Sequence, residues 1–174
     1  MMRRLAFFLM TASLTIPAGL LARESKPVTL PEAIRHQLAM LPRYNVFDEL
    51  AFQVDGGTVT LTGQVTQPVV KSDATDAVKH VEGVTAVVNN IEVLPLSPDD
   101  DRLRMAVYRA IYGAQSLSAR YGNTASPAIH IIVKNGVVRL EGVVANQMDR
   151  QVAGMRAQGV FGAFQVVNDL QVGA

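Results

Sequence analysis

The second half of this 174-residue chain repeats its first half. Residues 52–93 align without a gap on residues 131–172, at a constant offset of 79 positions, and 13 of the 42 aligned pairs are identical. The identities form a pattern. Val54, Gly57, Val59, Leu61, Gly63 and Val65 recur as Val133, Gly136, Val138, Leu140, Gly142 and Val144. Ala74, Val81, Gly83, Val87, Val88, Asn89 and Val93 recur as Ala153, Val160, Gly162, Val166, Val167, Asn168 and Val172. A chain of this kind folds as two copies of one small unit of about seventy residues, not around a single large core.

The local signals within each copy are ordered. Thr29 with Glu32 three residues later predicts a capping box, with Pro31 tolerated in the first turn. Ile34, Leu38 and Leu41 then fall on one helical face before Pro42. Phe52 and Val54 alternate with polar residues up to Asp55-Gly56-Gly57, and Val59, Leu61, Gly63 and Val65 alternate after it. The second copy places Asn135-Gly136 between equivalent runs, a hairpin signal because both turn positions require positive φ. A second helix is predicted over 68–82 and again over 147–161, with Gly83 and Gly162 as C-terminal caps. A third strand follows at 87–93 and 166–172. Gly57 and Gly136 read as turn residues, and Gly63 and Gly142 as positions where a helix approaches a strand closely. The expected fold class is α+β: two tandem α-β-β-α-β domains, 29–95 and 96–174, each a three-stranded sheet packed against two helices. The linker is short. Ser97 is placed as an N-cap, Pro98 at the first helical position, and Asp99, Asp100 and Asp101 in a first turn where the helix dipole favours anions.

Residues 1–22 read as an export signal, with Arg3 and Arg4 ahead of an apolar run and a cleavage site near Ala22. The run is shorter than the roughly 20 residues of a membrane span. The chain has no cysteine, which excludes disulfides, thiolate metal sites and acylation at a cysteine. The expected location is therefore a bacterial periplasm, without a lipid anchor. Residues 23–95 carry six basic and nine acidic side chains, and residues 96–174 eight basic and six acidic. This mild asymmetry does not suggest a nucleic-acid partner, but it favours docking of one half on the other or of the second half on an anionic surface.

The pattern V-x-x-G-x-V-x-L-x-G-x-V, followed by a helix and G-V-x-x-V-V-N-x-I/L-x-V, resembles the BON (bacterial OsmY and nodulation) domain. It is carried by Val54, Gly57, Leu61, Gly63, Gly83, Asn89, Ile91 and Val93 in the first copy. In the second, Val133, Gly136, Leu140, Gly142, Gly162, Asn168, Leu170 and Val172 carry it, while Ala163 departs from the usual Val and residues 115–128 form a longer connection. Two such domains behind an export signal match OsmY-like periplasmic members. The resemblance implies binding without catalysis: phospholipid surfaces, envelope or unfolded proteins in osmotic or envelope stress, or an accessory role in secretin- or channel-type complexes.

No constellation for chemistry is visible. None of His36, His80 and His130 has a second histidine or a carboxylate at ligand spacing that the fold would obviously gather, and the three aspartates are explained by the helix start, so no metal, cofactor or small-molecule substrate is expected. One helix stands out. Over Arg102–Tyr112, Leu103, Ala106, Val107, Ala110 and Ile111 form an inward face. Met105, Tyr108 and Tyr112 cluster opposite it, flanked by Arg102, Arg104 and Arg109. Such a surface suits an anionic phospholipid boundary, an envelope protein partner, or the first domain of the same chain.

Overall fold

The computed structural model describes residues 28–122 and 127–173; the export signal expected over 1–22 lies outside them. In the first domain, α1 (Leu30–Ala39) leads to β1 (Glu49–Asp55), β2 (Thr58–Val65) and α2 (Pro68–Lys79). A returning strand in two pieces, β3 (Ala86–Asn89) and β4 (Glu92–Val93), completes it. In the second, α3 (Pro98–Tyr112) and an added short helix, α4 (Gln115–Tyr121), precede β5 (Ile129–Lys134) and β6 (Val137–Val144). There α5 (Gln147–Gln158), β7 (Gln165–Asn168) and β8 (Gln171–Val172) follow. The architecture is α+β in two domains. In each, the middle strand pairs antiparallel with the strand before it and parallel with both pieces of the third strand.

The repeated apolar positions build the two cores. Val59, Leu61 and Val65 of β2 pack with Ile34 and Leu38 of α1 and Val70, Ala74 and Val78 of α2. Val138, Leu140 and Val144 of β6 pack with Leu103, Val107 and Ile111 of α3 and Ala153 and Ala157 of α5. Each fully buried Leu or Ile contributes roughly 1.5–3 kcal/mol. The recurrence of Asn89 and Asn168 has a polar cause. Asn89 donates from Nδ2 to the Lys71 carbonyl of α2 at 2.7 Å, and Asn168 donates to the equivalent Arg150 carbonyl of α5 at 2.8 Å. Each side-chain oxygen accepts the amide two residues on, from Ile91 and Leu170. This local turn interrupts the third strand, which the sequence pattern represents as continuous.

Three further details differ from the sequence expectations. The crossover helices end at Lys79 and Gln158, so Gly83 and Gly162 close the turns after them at φ +92° and +95° instead of capping them. The second domain carries α4 in place of a plain loop. Gly63 and Gly142 do not admit a helix. Both sit at φ near +120° inside a strand, and a Cβ there would lie 2.2 Å from the carbonyl oxygen of Glu49 or Ala128 on the neighbouring chain segment. They are regularly paired strand positions that cross-strand contact closes to any side chain.

The domains dock through the segment before β1. Asp48 is fully buried and holds this segment in shape: its carboxylate accepts from the Thr66 amide and hydroxyl and from the Asn45 amide and side chain. Val46 and Phe47 then pack into the second domain's core. A salt bridge of 2.5 Å between Lys134 and Glu92 closes the far end of the contact.

Candidate functional site

The two flanks of α3 have separate environments. On one flank lies the outer edge of β5. The two-residue turn closed by Lys134 and Val137 points the backbone groups of Ile129, Ile131 and Val133 away from β6. Each is met. Arg104 donates from Nη2 to the Val133 carbonyl at 2.7 Å, the Ile131 amide donates to the Val46 carbonyl at 2.8 Å, and the Tyr112 hydroxyl donates to the Ile129 carbonyl at 2.8 Å. Arg104 is only 4% exposed and also pairs with Asp101. Burial pushes the Tyr112 hydroxyl up to about 12, so it stays protonated as a donor. Tyr108 packs against Tyr112 and meets the Phe47 ring edge-on at 6.1 Å. Arg104, expected on the outward face, therefore seals an edge strand; Tyr112 does the same, and Tyr108 contacts the first domain.

At this contact the His130 ring stacks on Tyr44 at 5.3 Å, and its Nε2 lies 3.4 Å from the Tyr44 hydroxyl. Burial lowers the His130 pKa and keeps the ring neutral.

The outward ridge that remains is Arg102, Met105 and Arg109. Arg102 pairs with Asp99 at 2.9 Å, both largely exposed, an arrangement worth little in water. On the far flank the loop after α5 presents Phe161, fully exposed, and Phe164, 85% exposed. This loop is tied to the β5–β6 turn at Phe164. The Phe164 amide donates to the Gly136 carbonyl at 2.9 Å, and its ring lies against the Asn135-Gly136 turn, where a Cβ on Gly136 would come within 2.4 Å of it. Asn135 and Gly136 have φ of +53° and +75°, as the turn requires. Buried Asp100 accepts both turn amides at 2.9 Å, tying the hairpin to the start of α3. The aspartates of that first turn are thus committed to protein partners. Arg102, Ala106, Phe161 and Phe164 border a groove of about 670 Å³.

Sequence reasoning did not single out Phe161 and Phe164. The repeat contains the signal: their counterparts in the first domain are Glu82 and Thr85. At matched loop positions one copy is polar and the other aromatic. The difference is not required by the fold.

The sequence pattern of the BON domain matches residues 32–95 and again 99–174. The chain belongs to the BON domain family. No curated protein matches the sequence. Among solved structures, the chain is similar to the C-terminal domain of CdsD, described as the structural protein of the type III secretion system of Chlamydia trachomatis. That similarity has 13% identity over 86% of this chain and all of the other, with a TM-score of 0.34. A second structure of CdsD from the same organism matches with 16% identity over 82% of this chain and 91% of the other, with a TM-score of 0.30. Among the described residues of the two BON domains, no helix is long and apolar enough to cross a membrane. No group of three or more acidic or histidine side chains gathers there as a metal site.

Proposed function

We propose that the chain is an exported, non-catalytic envelope protein of the periplasm whose second BON domain rests on an anionic phospholipid surface, in the setting of osmotic or envelope stress. The observation that carries this reading is the pair Phe161 and Phe164, exposed beside Arg102 where the sister domain has Glu82 and Thr85. Exposed aromatic rings on a loop enter the headgroup boundary, and flanking arginines reach phosphates while their stems stay apolar. Met105 and Arg109 extend the same surface along α3. Arg104 and Tyr112 are not part of it; they serve the β5 edge.

Co-sedimentation of residues 23–174 with vesicles containing phosphatidylglycerol tests the proposal. The expected result is binding that weakens as salt rises. Phe161→Ser is expected to weaken it about tenfold, in line with loss of a buried aromatic. Arg102→Gln with Arg109→Gln is expected to flatten the salt dependence. Absence of binding by a folded sample, or equal binding by these variants, overturns the lipid reading and leaves an envelope protein complex as the partner to seek.

A further inference from the structure

The two hairpins have the same register but differently covered edges. In β1 the two-residue turn closes between Asp55 and Thr58, so Glu49, Ala51, Gln53 and Asp55 bond to β2, and Leu50, Phe52 and Val54 point their amides and carbonyls outward. On β5 one outward group of each equivalent residue is met, by Arg104, Val46 or Tyr112. In β1 the Leu50 amide meets the Tyr44 hydroxyl, and among the described residues no hydrogen bond reaches the outward groups of Phe52 or Val54. The cause is visible in the helices: α1 spans 10 residues against 15 for α3, and its Arg35 lies over the Phe52 ring at 5.9 Å instead of capping the strand. The open edge borders a groove of about 840 Å³ between α1 and the Glu141-Gly142-Val143 stretch of the second domain.

The groove is lined by three carboxylates against one arginine, Arg35 on the α1 side. Glu49, Glu141 and Asp169 line it. Arg139 is shared between Asp169 at 3.0 Å and Glu141 at 3.7 Å, and Glu49 makes no ion pair among the described residues. We propose that the groove receives an extended peptide that adds a strand to the outer edge of β1, an apolar stretch carrying a lysine or arginine that reaches Glu49 and Glu141. Backbone pairing supplies the affinity in this mode, and the carboxylates select the cationic residue. Burial, and for Glu49 the nearby Glu141 charge, raise these two carboxyl groups above their ordinary values, a penalty that an incoming cation relieves. This peptide site lies on the first domain and at the domain junction, apart from the Phe161 surface.

The test uses residues 23–174 and a fluorescein-labelled peptide of alternating valine and threonine ending in lysine, read by anisotropy. Two further peptides are N-methylated on alternate residues, in the two possible registers, and a fourth ends in glutamate. The expected result is binding of the lysine peptide, with amide shift changes at Leu50–Val54. One N-methylated register should be about tenfold weaker and the other unaffected, because only one register turns its amides to the β1 edge. The glutamate peptide, and the variant Glu49→Gln with Glu141→Gln against the lysine peptide, should also lose affinity. Phe161→Ser should bind the peptide unchanged, which separates this site from the lipid surface. Equal binding of both N-methylated registers, shift changes confined to the Phe161 loop, or no binding by the folded chain overturns the proposal.

Discussion

Asp48 and Arg104 are both buried, and both have their charge answered by nearby polar groups. Asp48→Ala strands the Thr66 and Asn45 amides and is expected to lower stability by about 2–3 kcal/mol, measured by urea denaturation. It should also release Val46 and Phe47 from the second domain. Arg104→Gln removes the donor to Val133 and is expected to lower the melting temperature while leaving vesicle binding unchanged. Arg102→Gln should do the reverse, and parallel melts and co-sedimentation separate the two. The burial of Arg104 was open to a stricter reading of the helix. At 100° per residue it lies about 20° beyond Ile111, at the margin of the buried arc. What the sequence could not reveal is the β5 edge beneath that arc, because the pairing that exposes it depends on tertiary structure. Phe161 and Phe164 were legible by subtraction of one repeat from the other. The open edge of β1 was not, since nothing in residues 49–55 says which neighbours fail to cover them.

At the scale of elements, the added helix α4 is fixed by one carboxylate. Asp149, buried in the first turn of α5, accepts from the Tyr121 hydroxyl at 2.7 Å and from Arg120 at 2.6 Å. The Tyr121 hydrogen bond, with the Arg120 guanidinium and Asn146, lowers its pKa from the ordinary 3.8. A depressed carboxylate pKa means that the unfolded chain takes up the proton first. Its stabilisation is therefore complete above about 3.8 and fades as the pH falls through the lower folded value. Arg120→Gln should shallow this acid loss in urea midpoints taken across that range. The strand glycines Gly63 and Gly142 belong to the same scale. Gly63→Ala and Gly142→Ala each push a methyl into a facing carbonyl at an unfavourable φ, and each is expected to cost about 2–3 kcal/mol or more in urea denaturation. The alternation and turn residues made the hairpins legible, but a glycine in a strand reads alike for a close helix and for a close neighbouring strand; only the cross-strand carbonyl distinguishes them.

For the whole molecule, two similar domains have been made unlike at their edges and loops. The first domain lends Val46 to β5 and leaves its own β1 edge open, and the second turns Phe161 and Phe164 outward where the first is polar. The mild charge asymmetry between the halves anticipated docking, which the Lys134–Glu92 salt bridge joins in part. One flank of α3 is sealed within the molecule, and the other is the one proposed to meet a membrane. Hydrogen–deuterium exchange of residues 23–174, with and without phosphatidylglycerol vesicles, tests this division most directly. The Ile131 amide is expected to be protected already in the free protein, and vesicles are expected to add protection at 161–164 and the first turns of α3. Rapid exchange at Ile131 in the free chain, or vesicle-induced protection at 44–47 in place of the Phe161 loop, would contradict it.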